Sequence, residues 1–203
     1  MKLPCLFQFR ILKLAIISLF SRAYTTGFPK EAYEPIPQFR GRPRYHADDC
    51  IGCGACAEVC PADSIDVTDE ISREKPVRKL VQHLDTCIQC GQCERYCPTE
   101  KGITLTNEYD YVGFSSADFE EQVEKDLLLC ECCGEVIAPV DQLRWLIKRL
   151  GPLAFTNPTL MLVSARELAV VDEGVKSTSD KAARAERMSI QCPKCRRKTL
   201  LAV

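Results

Sequence analysis

One cysteine pattern occurs twice in the chain, and it constrains the fold more than any other feature. The pattern is C-x2-C-x2-C-x3-C-P, and its second copy starts 37 residues after the first. This spacing is typical of segments that hold four-iron clusters, in which each iron needs a thiolate ligand. The eight cysteines are Cys50, Cys53, Cys56 and Cys60 in the first copy, and Cys87, Cys90, Cys93 and Cys97 in the second.

The fourth cysteine of each copy is expected to serve the other cluster, as in bacterial chains with this spacing. We therefore predict Cys50, Cys53, Cys56 and Cys97 for the first [4Fe–4S] cluster, and Cys87, Cys90, Cys93 and Cys60 for the second. Glycines at 52, 54 and 91 permit the unusual dihedrals of such loops, and each fourth cysteine is expected on a short helix. Four isoleucines are expected to shield the clusters: Ile51, Ile65, Ile88 and Ile103.

A third set of cysteines forms two C-x2-C pairs separated by 58 residues. Four thiolates in two such pairs bind a tetrahedral metal ion, for which zinc is the commonest occupant and mononuclear iron the alternative. The predicted ligands are Cys130, Cys133, Cys192 and Cys195, with the adjacent Cys132 as a substitute in the first pair. We expect a structural clasp that ties the tail back, and free buried thiols are the competing interpretation. Cys5 is expected to be a small apolar residue of the first helix.

Composition separates metal ligation from the other uses of cysteine. The chain has 14 cysteines in 203 residues and lacks a clean secretory signal, so disulfides are disfavoured and a reducing compartment is expected. The formal net charge of -1 provides no attraction to nucleic acid. The sequence has no Ser-His-Asp set, phosphate-binding loop or GxGxxG motif, and His46 and His83 are expected at the surface. We therefore predict an electron carrier that performs no bond chemistry by itself.

The N-terminal segment is basic and apolar. Residues 1–30 contain no Asp or Glu, and the apolar stretch over 3–20 is interrupted by Arg10 and Lys13. Its charge-free runs are too short for a spanning helix, so we predict an amphipathic helix that contacts a membrane surface or partner through residues 2–22. A cleaved organellar transit peptide is the alternative. Residues 25–45 are rich in proline and predict an extended connector.

The remaining patterns predict an α+β chain with three parts. These are the anchoring helix and connector (1–45), a two-[4Fe–4S] ferredoxin-like domain with pseudo-twofold symmetry (46–110), and a helical extension closed by the four-cysteine metal site (111–203). Alternation over 64–68 and 77–80 predicts a hairpin, and 103–106 a further strand. We expect helices over 117–128 and 139–150, and a helix that starts at a capping box over 164–167. Residues 174–189 are expected to form a connector.

Together these motifs resemble a known family. The paired cluster motifs, the basic N-terminal helix and the segment Phe39-Arg-Gly-Arg-Pro43 resemble the two-cluster subunits of complex I-type enzymes. The two C-x2-C pairs, with Ile137-Ala-Pro139 after the first, are similar to subunit 6 of formate hydrogenlyase and of related membrane-bound (group 4) [NiFe] hydrogenases. The Cys132-Cys133 doublet departs from that pattern.

The resemblance implies a non-catalytic subunit of an oxidoreductase complex, on the cytoplasmic side of a membrane. Such a subunit passes electrons between an upstream oxidoreductase or ferredoxin and the small subunit of a hydrogenase, beside the large subunit and a membrane-arm subunit. Three alternatives remain at this point. The first is a two-cluster subunit of a quinone-reducing NADH dehydrogenase, which would lie at the matrix side of the mitochondrial inner membrane if the leader is a transit peptide. The second is a free-standing ferredoxin-like carrier, and the third is a zinc-dependent scaffold.

Overall fold

The computed structural model describes residues 8–22, 25, 27–31, 33–72, 75–168 and 189–201. The chain divides into two compact units, Met1–Phe39 and Arg40–Val203. Cys5 lies outside the described residues, and so does the predicted connector over 174–189 except for its last residue. The second unit combines short helices with antiparallel sheets, as expected for an α+β chain.

The first unit contains helix α1 (Phe9–Phe20), which confirms the later part of the helix predicted over 3–20. All of its side chains are exposed, including Phe9 and Phe20. Among the described helices, none has both the length and the apolar character needed to cross a bilayer.

The two cysteine copies are joined through short antiparallel strands. Strand β1 (Pro43–Tyr45), before the first copy, pairs with β4 (Ile103–Leu105), after the second copy. Strands β2 (Ile65–Glu70) and β3 (Val77–His83) lie between the copies and form the predicted hairpin. Helices α2 (Ala55–Glu58) and α3 (Gln92–Arg95) occupy equivalent places in the two copies. The hairpin and the strand predicted at 103 are thus confirmed.

The four-stranded sheet has the order β2-β3-β5-β6, which adds β5 (Glu120–Leu129) and β6 (Val136–Pro139) to the hairpin. The helix predicted over 117–128 is therefore wrong. Along β5 the less exposed residues alternate with exposed ones, as the period of a strand requires. Two of these inward residues, Glu121 and Lys125, are charged, and their charges hide the alternation in the sequence.

The C-terminal helices follow the sheet directly. Helix α4 (Val140–Leu150) confirms the helix predicted at 139–150, and a 3-10 turn (Gly151–Thr156) leads into α5 (Pro158–Glu167). The helix start predicted at 164 is wrong, because Asn157 caps α5 by accepting a hydrogen bond from the Thr159 backbone N–H at 3.0 Å. Glu167 instead ends α5, where it forms an ion pair with Arg144. Helix α6 (Pro193–Leu201) completes the described chain.

Two hydrophobic clusters lie in the second unit. The first packs the cysteine copies against the sheet and includes Ile65, Leu80, Ile103 and Val123, each at most 5% exposed. The second packs α4 and α5 around Ile190, which is fully buried. Burying a side chain of this size contributes roughly 2 kcal/mol relative to leaving it in water. Because the first hydrophobic cluster contains residues of both cysteine copies and of the sheet, it fixes both loops to one rigid support.

Candidate iron–sulfur and tetrathiolate metal centres

The two cysteine loops share one backbone conformation. Gly52 and Gly54 have φ values of 67° and 77°, and the equivalent Gln89 and Gly91 have 53° and 78°. This left-handed conformation suits glycine, and Gln89 adopts it with its amide Nε2 donating to the Tyr111 hydroxyl at 3.0 Å. Glycine at 52 has a second reason, because a Cβ there would lie 3.0 Å from the Cβ of Lys125. The repeat in the sequence is thus also a repeat in backbone geometry.

Each predicted cluster ligand set lines one recess. A recess of about 290 Å³ is lined by Cys50, Cys53, Cys56 and Cys97 together with the apolar side chains of Leu80 and Ile103. A second recess, of about 320 Å³, is lined by Cys60, Cys87, Cys90 and Cys93 together with Ile65 and Gln82. Each set takes three cysteines from one copy and the fourth from the other copy. We call these the first and second recess, and four thiols around an apolar space fit a [4Fe–4S] cluster.

The helices hold the third cysteine of each copy, so the prediction that the fourth lies on a short helix is wrong. Cys56 lies within α2 and Cys93 within α3, whereas Cys60 and Cys97 follow the ends of these helices. The difference arises because each helix is a single turn that ends before the fourth cysteine. Each fourth cysteine therefore lies in the segment leading to the next strand.

Hydroxyl groups lie beside both fourth cysteines. The Ser64 hydroxyl is 3.2 Å from the Cys60 sulfur, and the Thr99 hydroxyl is 3.3 Å from the Cys97 sulfur. Burial opposes ionisation of both thiols, but these hydroxyls and neighbouring backbone N–H groups outweigh it and lower the pKa of each. The two thiols that would cross between clusters are thus prepared for the thiolate form that iron requires.

The third cysteines have the opposite environment. Burial in apolar surroundings raises the pKa of Cys56 to about 11 and that of Cys93 to about 12. Iron must therefore displace a proton from each of these thiols during cluster assembly. Burial also raises the pKa of Tyr45, so its hydroxyl, 3.7 Å from the Cys56 sulfur, stays neutral.

The two loops differ in how the rest of the chain covers them. Ile51 in the first loop is 8% exposed, whereas the equivalent Ile88 in the second loop is 64% exposed. Lys125 of β5 and Pro139 at the end of β6 pack on Gly52 of the first loop. All four isoleucines predicted to shield the clusters line a recess, but Ile88 is also largely exposed, because the extension covers only the first of the two loops. The other three isoleucines are buried.

A third thiol group joins the start and the end of the extension. The sulfurs of Cys130, Cys133, Cys192 and Cys195 all lie within 4.8 Å of one another. Backbone N–H groups point at two of these sulfurs: that of Cys192 donates to the Cys130 sulfur at 3.2 Å, and that of Cys195 to the Cys192 sulfur at 3.5 Å. Burial opposes ionisation of Cys130, but backbone donors led by Cys192 outweigh it and lower the pKa to about 6. Four converging thiols fit a tetrahedral metal ion.

Cys132 lies beside this group and is exposed. Its thiol interacts with that of Cys195 and contributes, after Cys133, to a raised pKa there. The group of four mutually close sulfurs nevertheless contains Cys133, whereas Cys132 is not part of it. The geometry thus favours Cys133 as the ligand of the first pair.

Three contacts near the recesses have no counterpart among the sequence predictions. Arg78 donates from Nη1 to the Gly52 carbonyl at 3.2 Å, and Lys125 donates from Nζ to the Ala47 carbonyl at 2.5 Å, just before the first loop. Gln82 donates from Nε2 to the Cys87 sulfur at 3.5 Å. Positions 78, 80 and 82 of β3 share one face, so the two polar residues on either side of the apolar Leu80 were the available signal on that strand.

Comparison with known proteins agrees with this arrangement. The 4Fe-4S dicluster domain family matches residues 49–101, which include all eight cysteines of the two copies. The chain is 32% identical over 126 residues to formate hydrogenlyase subunit 6 of Escherichia coli (strain K12), a match that covers 62% of this chain and 68% of that protein.

Two further similarities cover less of the other protein. The chain is 39% identical over 59 residues to NAD(P)H-quinone oxidoreductase subunit I, chloroplastic, of Mesostigma viride, covering 29% of this chain and 34% of that protein. A chain in the structure of the membrane-bound sulfane sulfur reductase, an archaeal respiratory membrane complex, aligns with a TM-score of 0.40 at 25% identity. That alignment covers 58% of this chain and 61% of the other.

Proposed function

Since the chain belongs to the family of formate hydrogenlyase subunit 6, we propose that it relays electrons through two [4Fe–4S] clusters within a membrane-bound respiratory complex. One observation carries this proposal: each recess is lined by three cysteines of one copy and the fourth cysteine of the other. A bound cluster supplies one-electron chemistry. The residues of the chain hold the clusters side by side, surround them with apolar side chains and provide hydrogen bonds to the sulfurs.

The crossing cysteines explain why two clusters in one chain make a relay. Cys60 and Cys97 each belong to one loop in sequence and to the other recess in space. They therefore join the two recesses through short backbone segments, Cys56 to Cys60 and Cys93 to Cys97. An electron would cross between the clusters over a short fixed distance. The exposed Ile88 loop leaves the second recess accessible for exchange with a partner, whereas the extension covers the first loop.

We further propose the partners and the place of this relay. The chain would connect an upstream oxidoreductase or ferredoxin with the small and large subunits of a [NiFe] hydrogenase, next to a membrane-arm subunit and on the cytoplasmic side. Helix α1 supports contact with a membrane surface, because its apolar side chains are exposed along its length. The four-cysteine site would hold zinc as a structural ion that joins the ends of the extension.

A quinone-reducing complex is the second candidate. It is favoured by the 39% identity to the chloroplast quinone oxidoreductase subunit over 59 residues. The similar segment is about as long as the dicluster domain, so this similarity supports the two clusters more than it supports a particular set of partners. The four-cysteine site lies beyond the dicluster match, at residues 130–195, and is the feature by which the first candidate is preferred.

Anaerobic affinity purification of the tagged chain from membranes tests the first candidate. We expect the chain to be recovered with a nickel-containing large subunit and a small subunit, identified by mass spectrometry and metal analysis. Recovery with quinone-reductase subunits and without nickel would replace the hydrogenase assignment with the second candidate. Recovery of the chain alone from the soluble fraction would contradict a complex-bound relay.

A matched variant in the same purification tests helix α1. A chain that lacks residues 2–22 is expected to move from the membrane fraction to the soluble fraction, because the exposed apolar face of the helix is removed with it. Its iron content should stay unchanged, since none of the cluster cysteines lies in that segment. Unchanged membrane association would show that the partner subunits alone anchor the chain.

A further inference from the structure

One face of strand β3 contacts the surroundings of both recesses. Arg78, Leu80 and Gln82 alternate along this face, which packs toward the cysteine loops. Arg78 reaches the backbone of the first loop through the Gly52 carbonyl, and Gln82 reaches the Cys87 sulfur in the second recess. Leu80, 1% exposed, lies between them and lines the first recess. A single strand thus presents a cation to one loop and a neutral amide to the other.

We propose that Arg78 and Gln82 set the reduction potentials of the two clusters separately, with Arg78 acting on the first cluster and Gln82 on the second. This rests on the proposed function only in that each recess holds one [4Fe–4S] cluster. Both side chains are positioning residues for the electron relay, because they touch the loop or a ligand sulfur and carry no electron themselves.

Arg78 is held against the first loop by its own ion pair. Its guanidinium binds both carboxylate oxygens of Asp69, at 2.7 and 2.8 Å, and is largely buried. The cross-strand neighbour of Arg78 is Lys125, whose ammonium is 2.8 Å from Asp141 and also contacts the chain just before the first loop. The first loop is therefore flanked by two cations with low exposure, and the carboxylates balance part of their charge.

A cation at this position favours the reduced cluster. Reduction adds one negative charge to the cluster, and a partly buried positive charge attracts it more strongly than a charge in water does. Removing the Arg78 charge should therefore lower the potential of the first cluster. The hydrogen bond from Arg78 to the Gly52 carbonyl also fixes the orientation of the peptide dipoles in the first loop. These dipoles contribute to the potential of the same cluster.

Gln82 acts on the second cluster through a hydrogen bond. The side chain is 1% exposed, and its Oε1 has no hydrogen-bond partner among the described residues, whereas Nε2 donates to the Cys87 sulfur. Burying an amide oxygen without a hydrogen-bond partner costs free energy, and the hydrogen bond from Nε2 to the sulfur offsets part of that cost. The bond strengthens when reduction places more negative charge on the sulfur, so Gln82 raises the potential by less than a full charge would.

Other polar groups near the recesses do not separate the clusters in this way. Ser64 and Thr99 occupy matching places beside the two crossing cysteines and so act on both clusters alike. Arg40 donates to the Cys90 carbonyl at 3.2 Å, but it is exposed and its charge is screened by solvent. The Tyr45 hydroxyl, 3.7 Å from the Cys56 sulfur, is a neutral group of the first recess alone. The buried positive charge that distinguishes the two recesses therefore lies on β3 and its neighbour β5.

Potentiometric titration of the anaerobically purified full chain, followed by EPR, tests the proposal with four variants. Arg78→Gln is expected to lower the ratio of reduced to oxidised first cluster about tenfold at a fixed potential, which is ~59 mV for one electron. Gln82→Met keeps the side-chain volume and should lower the same ratio for the other cluster by about threefold. Each variant should leave the titration step of the other cluster at its wild-type position.

Lys79→Gln is the matched control. Lys79 lies on the same strand with its side chain on the opposite face, 3.9 Å from Glu124, so its replacement removes an equal charge away from the recesses. We expect neither titration step to move. Arg78→Lys keeps the charge and should restore a potential close to that of the wild type, which separates the charge from packing if Arg78→Gln loses iron.

Three results would overturn the proposal: shifts of the same cluster by both β3 variants, an equal shift by Lys79→Gln, or no shift by any variant that keeps both clusters. The titration uses the isolated chain and does not depend on partners. If the expected shifts are seen but the affinity purification from membranes recovers the chain alone, the relay function is contradicted and the tuning role stays intact.

Discussion

Replacing Cys93 by alanine is expected to remove the second cluster and to stop electron flow through the assembled complex. Cys93 lies in α3 at the wall of the second recess, and its thiol is one of only four that line that recess. A cluster iron left without its thiolate is open to water and oxidation, so we expect about four irons per chain in place of about eight. Iron and acid-labile sulfide analysis, with turnover of the purified complex, measures both effects.

Cys132→Ser is the matched control for this experiment. It removes an exposed thiol that lies far along the chain from the cluster loops and outside both recesses. Iron content and turnover should stay at the wild-type level. Normal turnover of Cys93→Ala despite loss of four irons would show that the second cluster does not lie on the electron path.

Replacing Cys192 by alanine is expected to release the metal of the four-cysteine site and to free α6 from the extension. Cys192 is 4% exposed and lies within 4.8 Å of the other three sulfurs. Structural zinc sites of this type contribute on the order of 10 kcal/mol to folding of the segment that they close. The neighbouring Ile190, fully buried against α4 and α5, would lose its support as well.

Zinc analysis and amide hydrogen exchange measure the effects of Cys192→Ala. We expect loss of one metal ion and of amide protection in α6 and β6, while the dicluster part keeps about eight irons because its core is separate. Cys133→Ser should behave like Cys192→Ala, and Cys132→Ser should retain the metal. The opposite order of the two serine variants would identify Cys132 as the ligand of the first pair.

Ligand spacing predicts a metal centre well because the metal dictates it. The C-x2-C-x2-C-x3-C-P copies predicted the loops and the repeat, since few other structures require that spacing. Alternation of polar and apolar residues predicted the hairpin between them. The C-x2-C pairs likewise indicated the thiols that the structure brings together, although 58 residues separate them. In these segments local chemistry determines local structure.

The parts that were predicted wrongly depend on contacts between distant residues. The inward Glu121 accepts a hydrogen bond from the Tyr45 backbone N–H at 2.9 Å, and Lys125 pairs with Asp141, so both charges are tolerated on the inner face of a strand. Propensity and charge alone made that stretch resemble an exposed helix. The unequal exposure of the equivalent Ile51 and Ile88 likewise follows from where β5 and β6 pack, which two copies of one cysteine pattern do not reveal.

EPR spectroscopy of the fully reduced, anaerobically purified chain tests the central claim most directly. The account predicts two unpaired-electron centres per chain, with signals broadened or split by magnetic interaction, because the crossing cysteines hold the two recesses side by side. Spin quantification together with about eight irons per chain would agree with a two-cluster relay. One spin per chain with about four irons, or two signals without interaction, would contradict it.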